Sequence, residues 1–187
     1  MTYDNAFQRI LAQHSAPTLL GVKCANLVSL DAVQQEVALA ASQFNRLACK
    51  RGLRSRILCQ CRRRTLLLVY NVAQLGERLR QPDVQSMLRQ WGYREFTVRA
   101  CLDRLSERMR ANGEFPHEIG IFLGYPMEDV IGFIENRGEN YKFCGCWKVY
   151  GSEQSARKMF ASYDQCRQDL CHKMNEGRDL YQALRLM

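Results

Sequence analysis

The sequence predicts a single domain of the α/β or α+β class, with a mixed sheet of four or five strands covered by helices. Amphipathic helical stretches alternate along the chain with short apolar stretches that are typical of strands. No repeat or linker divides the chain, and 187 residues with 47% hydrophobic content suffice for one substantial core. Residues 177–187 follow the last long helix and are expected to be helical or frayed.

The first part of the chain predicts two helices. Apolar residues recur at helical spacing over residues 3–13, and the segment His14-Ser15-Ala16-Pro17 is expected to end that helix. A longer apolar stripe predicts a second helix over residues 31–51, and Gly52 is well placed as its terminating residue.

A hairpin with a basic tip follows. Strands are predicted over residues 55–61 and 65–70, and the second strand is apolar on both faces, which places it centrally in the sheet. All of the net charge of +8 is concentrated between Arg46 and Arg64, where basic residues occur without any acidic residue. This pattern predicts a surface that binds an anion or a partner and contains Arg54, Arg56, Arg62, Arg63 and Arg64.

The partner of this basic surface is left open by the sequence. An acidic redox protein such as a flavodoxin fits the charge, and so does a surface that is merely solvated. Nucleic acid is less favoured, because the segment has no aromatic residues for base stacking and no helix-turn-helix pattern.

The second half predicts five helices and two strands. Asn71 and Ser152 are suitable N-caps, and Pro82 and Pro126 suit the first position of a helix. The predicted helices cover residues 71–80, 82–91, 95–111, 126–137 and 152–175, and the predicted strands cover residues 119–123 and 141–150.

The cysteine content and the apolar runs predict a cytoplasmic protein. Nine cysteines cannot all pair in disulfides, and a reducing compartment keeps thiols free. No apolar run approaches the ~20 residues that a membrane span requires, and the first residues are amphipathic rather than typical of a secretory signal.

The most distinctive block runs from Glu114 to Gly151 and reads EFPHEIGIFLGYPMEDVIGFIENRGENYKFCGCWKVYG. Two further blocks, HSAPTLLGVKCANL and LLLVY, precede it. Together they resemble an uncharacterised bacterial family, number 3793 in the domain-of-unknown-function series, over nearly the whole chain. The resemblance implies a link to iron or redox physiology, near flavodoxin and ferrous-iron transport. Cys146 departs from the family pattern, which usually has tyrosine there, and this argues against a shared Cys-x-Cys mechanism.

Two histidines are the strongest candidates for chemistry. His14 and His117 each lie close to a proline, at element ends where functional side chains are usually displayed. Imidazole is the commonest metal ligand, and a site from His14, His117, Glu118 and Cys144 would suit iron or zinc. The alternative is that each histidine caps a turn or bonds a backbone carbonyl.

Two pairs of cysteines repeat the same spacing. Cys59 and Cys61 are two residues apart on one predicted strand, and Cys144 and Cys146 are two apart on another. If those strands were neighbours, four thiolates could hold zinc or an iron–sulfur cluster. Core packing is the favoured alternative, because free cysteine is among the most buried residue types.

A small-ligand site is the remaining candidate. Lys23 and Asn26, and Asn140 and Tyr141 after the central helix, could bind a polar or phosphorylated molecule, with Lys23 holding its anionic group. The leading hypothesis is therefore a cytosolic protein of iron or redox physiology that binds a small ligand or a metal between the His14 and His117 motifs. The alternatives are an adaptor that uses the basic segment and an enzyme that acts on a small anionic substrate.

Overall fold

A three-stranded antiparallel sheet separates two layers of helices. The computed structural model of the chain describes residues 3–31, 34–60, 64–111 and 115–186. The strand order is β1–β3–β2, so the middle strand is the last of the three in sequence. The strands are β1 (Ala25–Leu30), β2 (Leu53–Gln60) and β3 (Thr65–Asn71).

Helices surround the sheet on both faces. A short 3-10 turn, Cys49–Arg51, extends the second helix, and Gly52 ends it in the left-handed conformation. The helices are α1 (Tyr3–Leu19), α2 (Gln34–Ala48), α3 (Val72–Arg80), α4 (Pro82–Arg89), α5 (Val98–Ala111), α6 (Ile119–Phe122), α7 (Met127–Glu135), α8 (Glu153–Asn175) and α9 (Leu180–Ala183).

The central strand β3 supplies side chains to two separate cores. Leu67 and Val69 pack with α1, α2, α8 and α9, whereas Leu68 packs with α3, α4, α5 and α6. All three side chains are fully buried. Successive residues of a strand point to opposite faces, and helices cover both faces of β3, so its side chains are apolar on both sides. The prediction that this strand lies centrally in the sheet is confirmed.

A two-stranded ribbon carries the third core. Its strands, β4 (Phe143–Cys144) and β5 (Lys148–Val149), pair with each other and lie apart from the main sheet. Trp147 and Val149 of this ribbon pack against Phe160 and Tyr163 of α8. The α/β class is therefore confirmed, but the predicted single mixed sheet is instead two small antiparallel sheets.

Local signals at Asn71, Pro82 and Ser152 gave correct helix starts, whereas Pro126 is the N-cap of α7 rather than its first residue. The Asn71 side chain accepts hydrogen bonds from the backbone of Ala73 and Gln74, and the Ser152 side chain accepts one from Ser155. Pro82 is the first residue of α4. After Gly177 the chain forms α9, whose Leu180 is buried, so this end is helical in the structure.

The prediction that the segment His14-Ser15-Ala16-Pro17 ends the first helix is wrong. Helix α1 continues to Leu19 although proline has no N–H to donate to the carbonyl of Gln13. Nε of Arg167, on α8, donates to that carbonyl at 3.1 Å. The hydrogen bond that proline removes is thus replaced by a donor from the neighbouring helix.

Two predicted strands are also wrong. The buried run at residues 119–123 is the single helical turn α6, because a short apolar run has the same pattern in a buried helix as in a buried strand. Residues 141–150 do not form one strand, since the chain turns at Gly145 between β4 and β5. A side chain there would collide with the Phe160 ring, 2.3 Å from the position of its Cβ.

Candidate functional site

A cleft of about 330 Å³ lies where the end of α1, the start of β1 and the middle of α8 meet; we call it the Lys23 cleft. It combines polar side chains with aromatic rings. Its lining residues are Gln13, His14, Pro17, Lys23, Asn26, Leu27, Leu123, Tyr125, Cys146, Tyr163 and Arg167.

The backbone turn after α1 fixes the position of Lys23. The amide N–H groups of Val22 and Lys23 both donate to the carbonyl of Pro17, at 2.8 and 3.1 Å. Gly21 makes the turn possible because its φ is +80°, a conformation that glycine adopts without strain. Lys23 is thereby held two residues before the start of β1.

The side chain of Lys23 is buried, with only 7% of its surface exposed. Its amine lies over two aromatic rings, 5.1 Å from the ring centre of Tyr125 and 5.3 Å from that of Tyr163. No Asp or Glu in the described part of the chain forms an ion pair with it. Burial lowers the pKa of this amine to about 8, because the charged form has lost its hydration.

The phenol and thiol groups around the Lys23 amine are neutral at physiological pH. Burial raises the pKa of both Tyr125 and Tyr163 to about 12, so their phenols stay protonated. The same cause raises the pKa of the Cys24 and Cys146 thiols. Neither phenolate nor thiolate is therefore present to pair with the Lys23 ammonium.

Three polar side chains complete the cleft. The Asn26 amide oxygen accepts a hydrogen bond from the Thr18 hydroxyl at 2.7 Å, which leaves its NH₂ group for the cleft. Arg167 uses Nε on the Gln13 carbonyl and Nη1 on Asp164, at 3.0 Å. His14 is exposed on α1 at the rim. These donors give the cleft a positive and hydrogen-bonding side.

A mainly apolar cavity of about 400 Å³ adjoins the Lys23 cleft. Three residues line both spaces: Leu123, Tyr125 and Cys146. Trp147 stacks on Tyr125 with ring centres 4.6 Å apart, and His117 lies against Phe133 at 5.3 Å. We refer to this space as the Trp147 cavity.

Asp129 holds the ribbon that forms the wall of the Trp147 cavity. Its carboxylate is buried and accepts hydrogen bonds from the indole N–H of Trp147 at 2.7 Å and from the backbone N–H groups of Tyr150 and Gly151 at 2.7 and 2.8 Å. Both carboxylate oxygens are thus used. The Asp129 side chain thereby joins helix α7 to the ribbon.

A family model described as "Protein of unknown function (DUF3793)" matches residues 11–184. The chain belongs to this family. Searches among curated proteins and among solved structures find no significant match.

The match to the DUF3793 family includes every residue that lines the Lys23 cleft and the Trp147 cavity. The resemblance drawn from the three sequence blocks is thereby confirmed. The family description assigns no activity. None of the helices in the described ranges combines the length and apolar character that a bilayer span needs.

The structure brings together only some of the residues predicted for ligand binding. His14, Lys23 and Asn26 line the Lys23 cleft, whereas His117 and Cys144 line the Trp147 cavity. Glu118 lines neither space. Its buried carboxylate forms an ion pair with Arg108 and accepts a hydrogen bond from the Tyr93 hydroxyl at 3.3 Å, which is a structural role.

Asn140 and Tyr141 lie outside both spaces. Asn140 has a φ of +57° and forms part of the turn that follows α7. Tyr141 is exposed, and the amine of Lys148 lies 4.9 Å from its ring centre. The conformational demand of the turn explains the asparagine, since this residue tolerates the left-handed region.

The residues do not fit the predicted iron or zinc site. Within the ranges that the structure describes, no three His, Cys, Asp or Glu side chains are grouped so that they could hold a metal ion. His14 and His117 line different spaces, and the strands of Cys59 and Cys144 belong to different sheets. Cys61 lies outside the described residues.

The basic segment is partly occupied by internal contacts. Arg54 donates to the carbonyl of Asn45 at 2.7 Å, and Arg56 forms an ion pair with Asp103 of α5. Arg64 is exposed. Arg62 and Arg63 lie outside the described residues. Two of the five arginines predicted to bind a partner therefore already have partners within the chain.

Sequence reasoning missed the side chains that complete the cleft. Tyr125 precedes the predicted helix start at Pro126, Tyr163 lies inside the predicted helix over residues 152–175, and nothing in the sequence marks Arg167. All three come from parts of the chain about 100 residues or more after Lys23. The proline inside α1 is the one available hint, because it leaves a carbonyl that needs a donor from another element.

Proposed function

We propose that the protein binds a small organic anion, with its carboxylate or phosphate group at Lys23. One observation carries the proposal: the buried amine of Lys23 faces a cleft and has no acidic partner among the residues described. An unpaired charge is costly in a protein interior, and a bound anion would supply the missing counter-charge.

The two adjoining spaces support a ligand with unlike ends. Binding sites for small molecules are usually apolar, with a few polar groups that fix orientation. The Lys23 cleft offers such groups on Lys23, Asn26 and His14, and the Trp147 cavity beside it is lined mainly by apolar and aromatic residues. We therefore infer that the anionic group binds at Lys23 and that an aromatic or aliphatic body packs near Tyr125 and Trp147.

This proposal retains part of the hypothesis drawn from sequence. The site lies between the His14 and His117 motifs, and it uses Lys23 for the anionic group. It includes no iron or zinc, because the side chains do not fit one. We keep a cytoplasmic location within the proposal, since the cysteines of the described ranges are all free thiols.

Calorimetric titration with benzoate and with phenyl phosphate tests the proposal. We expect both probes to bind the native chain and to bind Lys23→Met at least about tenfold more weakly, because the variant lacks the cation. Lys158→Met is the matched control, since Lys158 is exposed on α8 and should leave affinity unchanged. Equal affinity of the native chain and Lys23→Met, or no binding by the native chain, would refute the proposal.

The affinity for the anion should also fall as the pH rises. The free amine has a pKa of about 8, so the ammonium is lost as the pH rises through that value. Titrations at about pH 7 and about pH 9 should show weaker binding at the higher pH for the native chain. A pH-independent affinity would indicate that the anion binds elsewhere.

A further inference from the structure

Lys23 has the surroundings of a reactive amine as well as those of an anion anchor. A lysine that is desolvated in an apolar pocket keeps part of its population neutral at physiological pH, and the neutral amine is a nucleophile. Its amine lies over the rings of Tyr125 and Tyr163 rather than against a carboxylate. It also faces a cleft that a small molecule can enter.

The same cleft contains groups that could hold a carboxylate beside a reacting carbonyl. Arg167 lines the cleft, with Nε bonded to the Gln13 carbonyl and Nη1 to Asp164. Asn26 lines it as well, and its NH₂ group can donate because its amide oxygen accepts from Thr18. His14 stands at the rim. A ligand whose carboxylate binds these donors would present an adjacent carbonyl carbon within the cleft that Lys23 lines.

We propose that Lys23 forms an imine with a small 2-oxo acid bound in the Lys23 cleft, an activity that rests on the anion-binding function proposed above.

The step balances without any oxidant, reductant or cofactor. The lone pair of Nζ attacks the carbonyl carbon of the acid, and the C–N bond forms as the C=O π electrons move to oxygen. Proton transfer from nitrogen to oxygen gives a carbinolamine. Protonation of its hydroxyl lets water leave as the nitrogen lone pair forms the C=N bond of an iminium ion. Loss of the proton from nitrogen gives the imine and returns the proton that was added. Amine and ketone have then become imine and water, and hydrolysis reverses the step.

Burial makes the neutral amine far more abundant at this position than at an exposed lysine. With a pKa of about 8 in place of 10.5, roughly one molecule in ten has a neutral Lys23 at pH 7. This is an increase of about 300-fold over an ordinary lysine. Reaction with a carbonyl compound should therefore be selective for Lys23 over the exposed lysines.

Borohydride trapping with pyruvate tests the proposal on the whole chain. Pyruvate is incubated with the protein near neutral pH, the iminium is reduced to a stable secondary amine, and the modified peptide is identified by mass spectrometry. We expect one adduct per chain, at Lys23, and faster labelling as the pH approaches 8. Lys158→Arg should label as the native chain does.

Lys23→Arg separates this inference from the proposed function. Arginine keeps a cation in the cleft but cannot form the imine, so the variant should still bind benzoate and should lose the pyruvate adduct. Binding of benzoate at Lys23 with no adduct there in the native chain would overturn the imine and leave anion binding intact. Labelling spread over exposed lysines would overturn the inference as well, and an absence of both binding and labelling would overturn both proposals.

Discussion

The amine of Lys23 loses most of its contact with water without gaining an ion pair, so its charged form destabilises the fold. The unfolded chain holds this proton up to the ordinary pKa of 10.5, whereas the folded chain releases it near 8. This difference corresponds to roughly 3 kcal/mol. The penalty is fully present below about pH 8 and disappears as the pH rises to about 10.5.

Lys23→Met is therefore expected to stabilise the protein at pH 7 while it weakens the proposed anion binding. Methionine has a similar length, carries no charge and suits an apolar environment. We expect the free energy of unfolding in urea to rise by about 1–3 kcal/mol at pH 7, and the advantage to shrink as the pH rises above about 8. The exposed Lys158→Met should change it by less than about 0.5 kcal/mol. A less stable Lys23→Met would contradict the burial argument.

At the scale of single residues, sequence pattern predicted only half of the site. His14, Lys23 and Asn26 lie within one short block, and their polar character in an apolar stretch marks them. Tyr125, Tyr163 and Arg167 reach the same cleft only through tertiary packing. Spacing along one segment contains no information about such long-range neighbours.

At the scale of elements, success depended on whether the deciding contact was local. The caps at Asn71 and Ser152 bond residues two or three positions further on, so sequence pattern was sufficient. The path of α1 through Pro17 depends on Arg167, which is far away in sequence. The ribbon of β4 and β5 likewise depends on Asp129, whose contacts lie about 20 residues further along.

Asp129→Asn should loosen the ribbon. The substitution keeps one acceptor oxygen, but it places an NH₂ group against either the Trp147 indole or the two backbone N–H groups. We expect a loss of about 2–4 kcal/mol in the free energy of unfolding, because buried donors are left without acceptors. The NMR signal of the Trp147 indole N–H should shift as well. Glu135→Gln, at an exposed position of the same helix, is the control, and an unchanged indole signal in Asp129→Asn would refute this role.

The whole molecule is built on a sheet that both main cores share. Leu67 and Val69 of β3 belong to one core and Leu68 to the other, so neither layer of helices can separate without exposing the strand. The class of the fold followed from hydrophobic pattern alone, because a strand that is apolar on both faces requires cover on both sides. The division into two sheets did not follow from this pattern, since register and turns are set by tertiary contacts.

Leu68→Ala should destabilise the entire molecule rather than one layer. Removal of this fully buried side chain is expected to lower the free energy of unfolding by about 2–5 kcal/mol. Circular dichroism and tryptophan fluorescence should give the same urea transition, because the cores unfold together. Leu66→Ala, at a half-buried position of the same strand, is the control and should lower the free energy of unfolding by less. Two separate transitions would show that the layers are independent.

The Lys23 cleft draws its residues from distant parts of the chain, and this has a consequence for synthesis. Lys23 follows the first helix, whereas Tyr163 and Arg167 belong to α8. During translation the N-terminal elements leave the ribosome before α8 has been made. The carbonyl of Gln13 must meanwhile be hydrated, and the buried amine must remain in water. The nascent protein therefore cannot hold the proposed ligand until α8 has been made and has docked on α1.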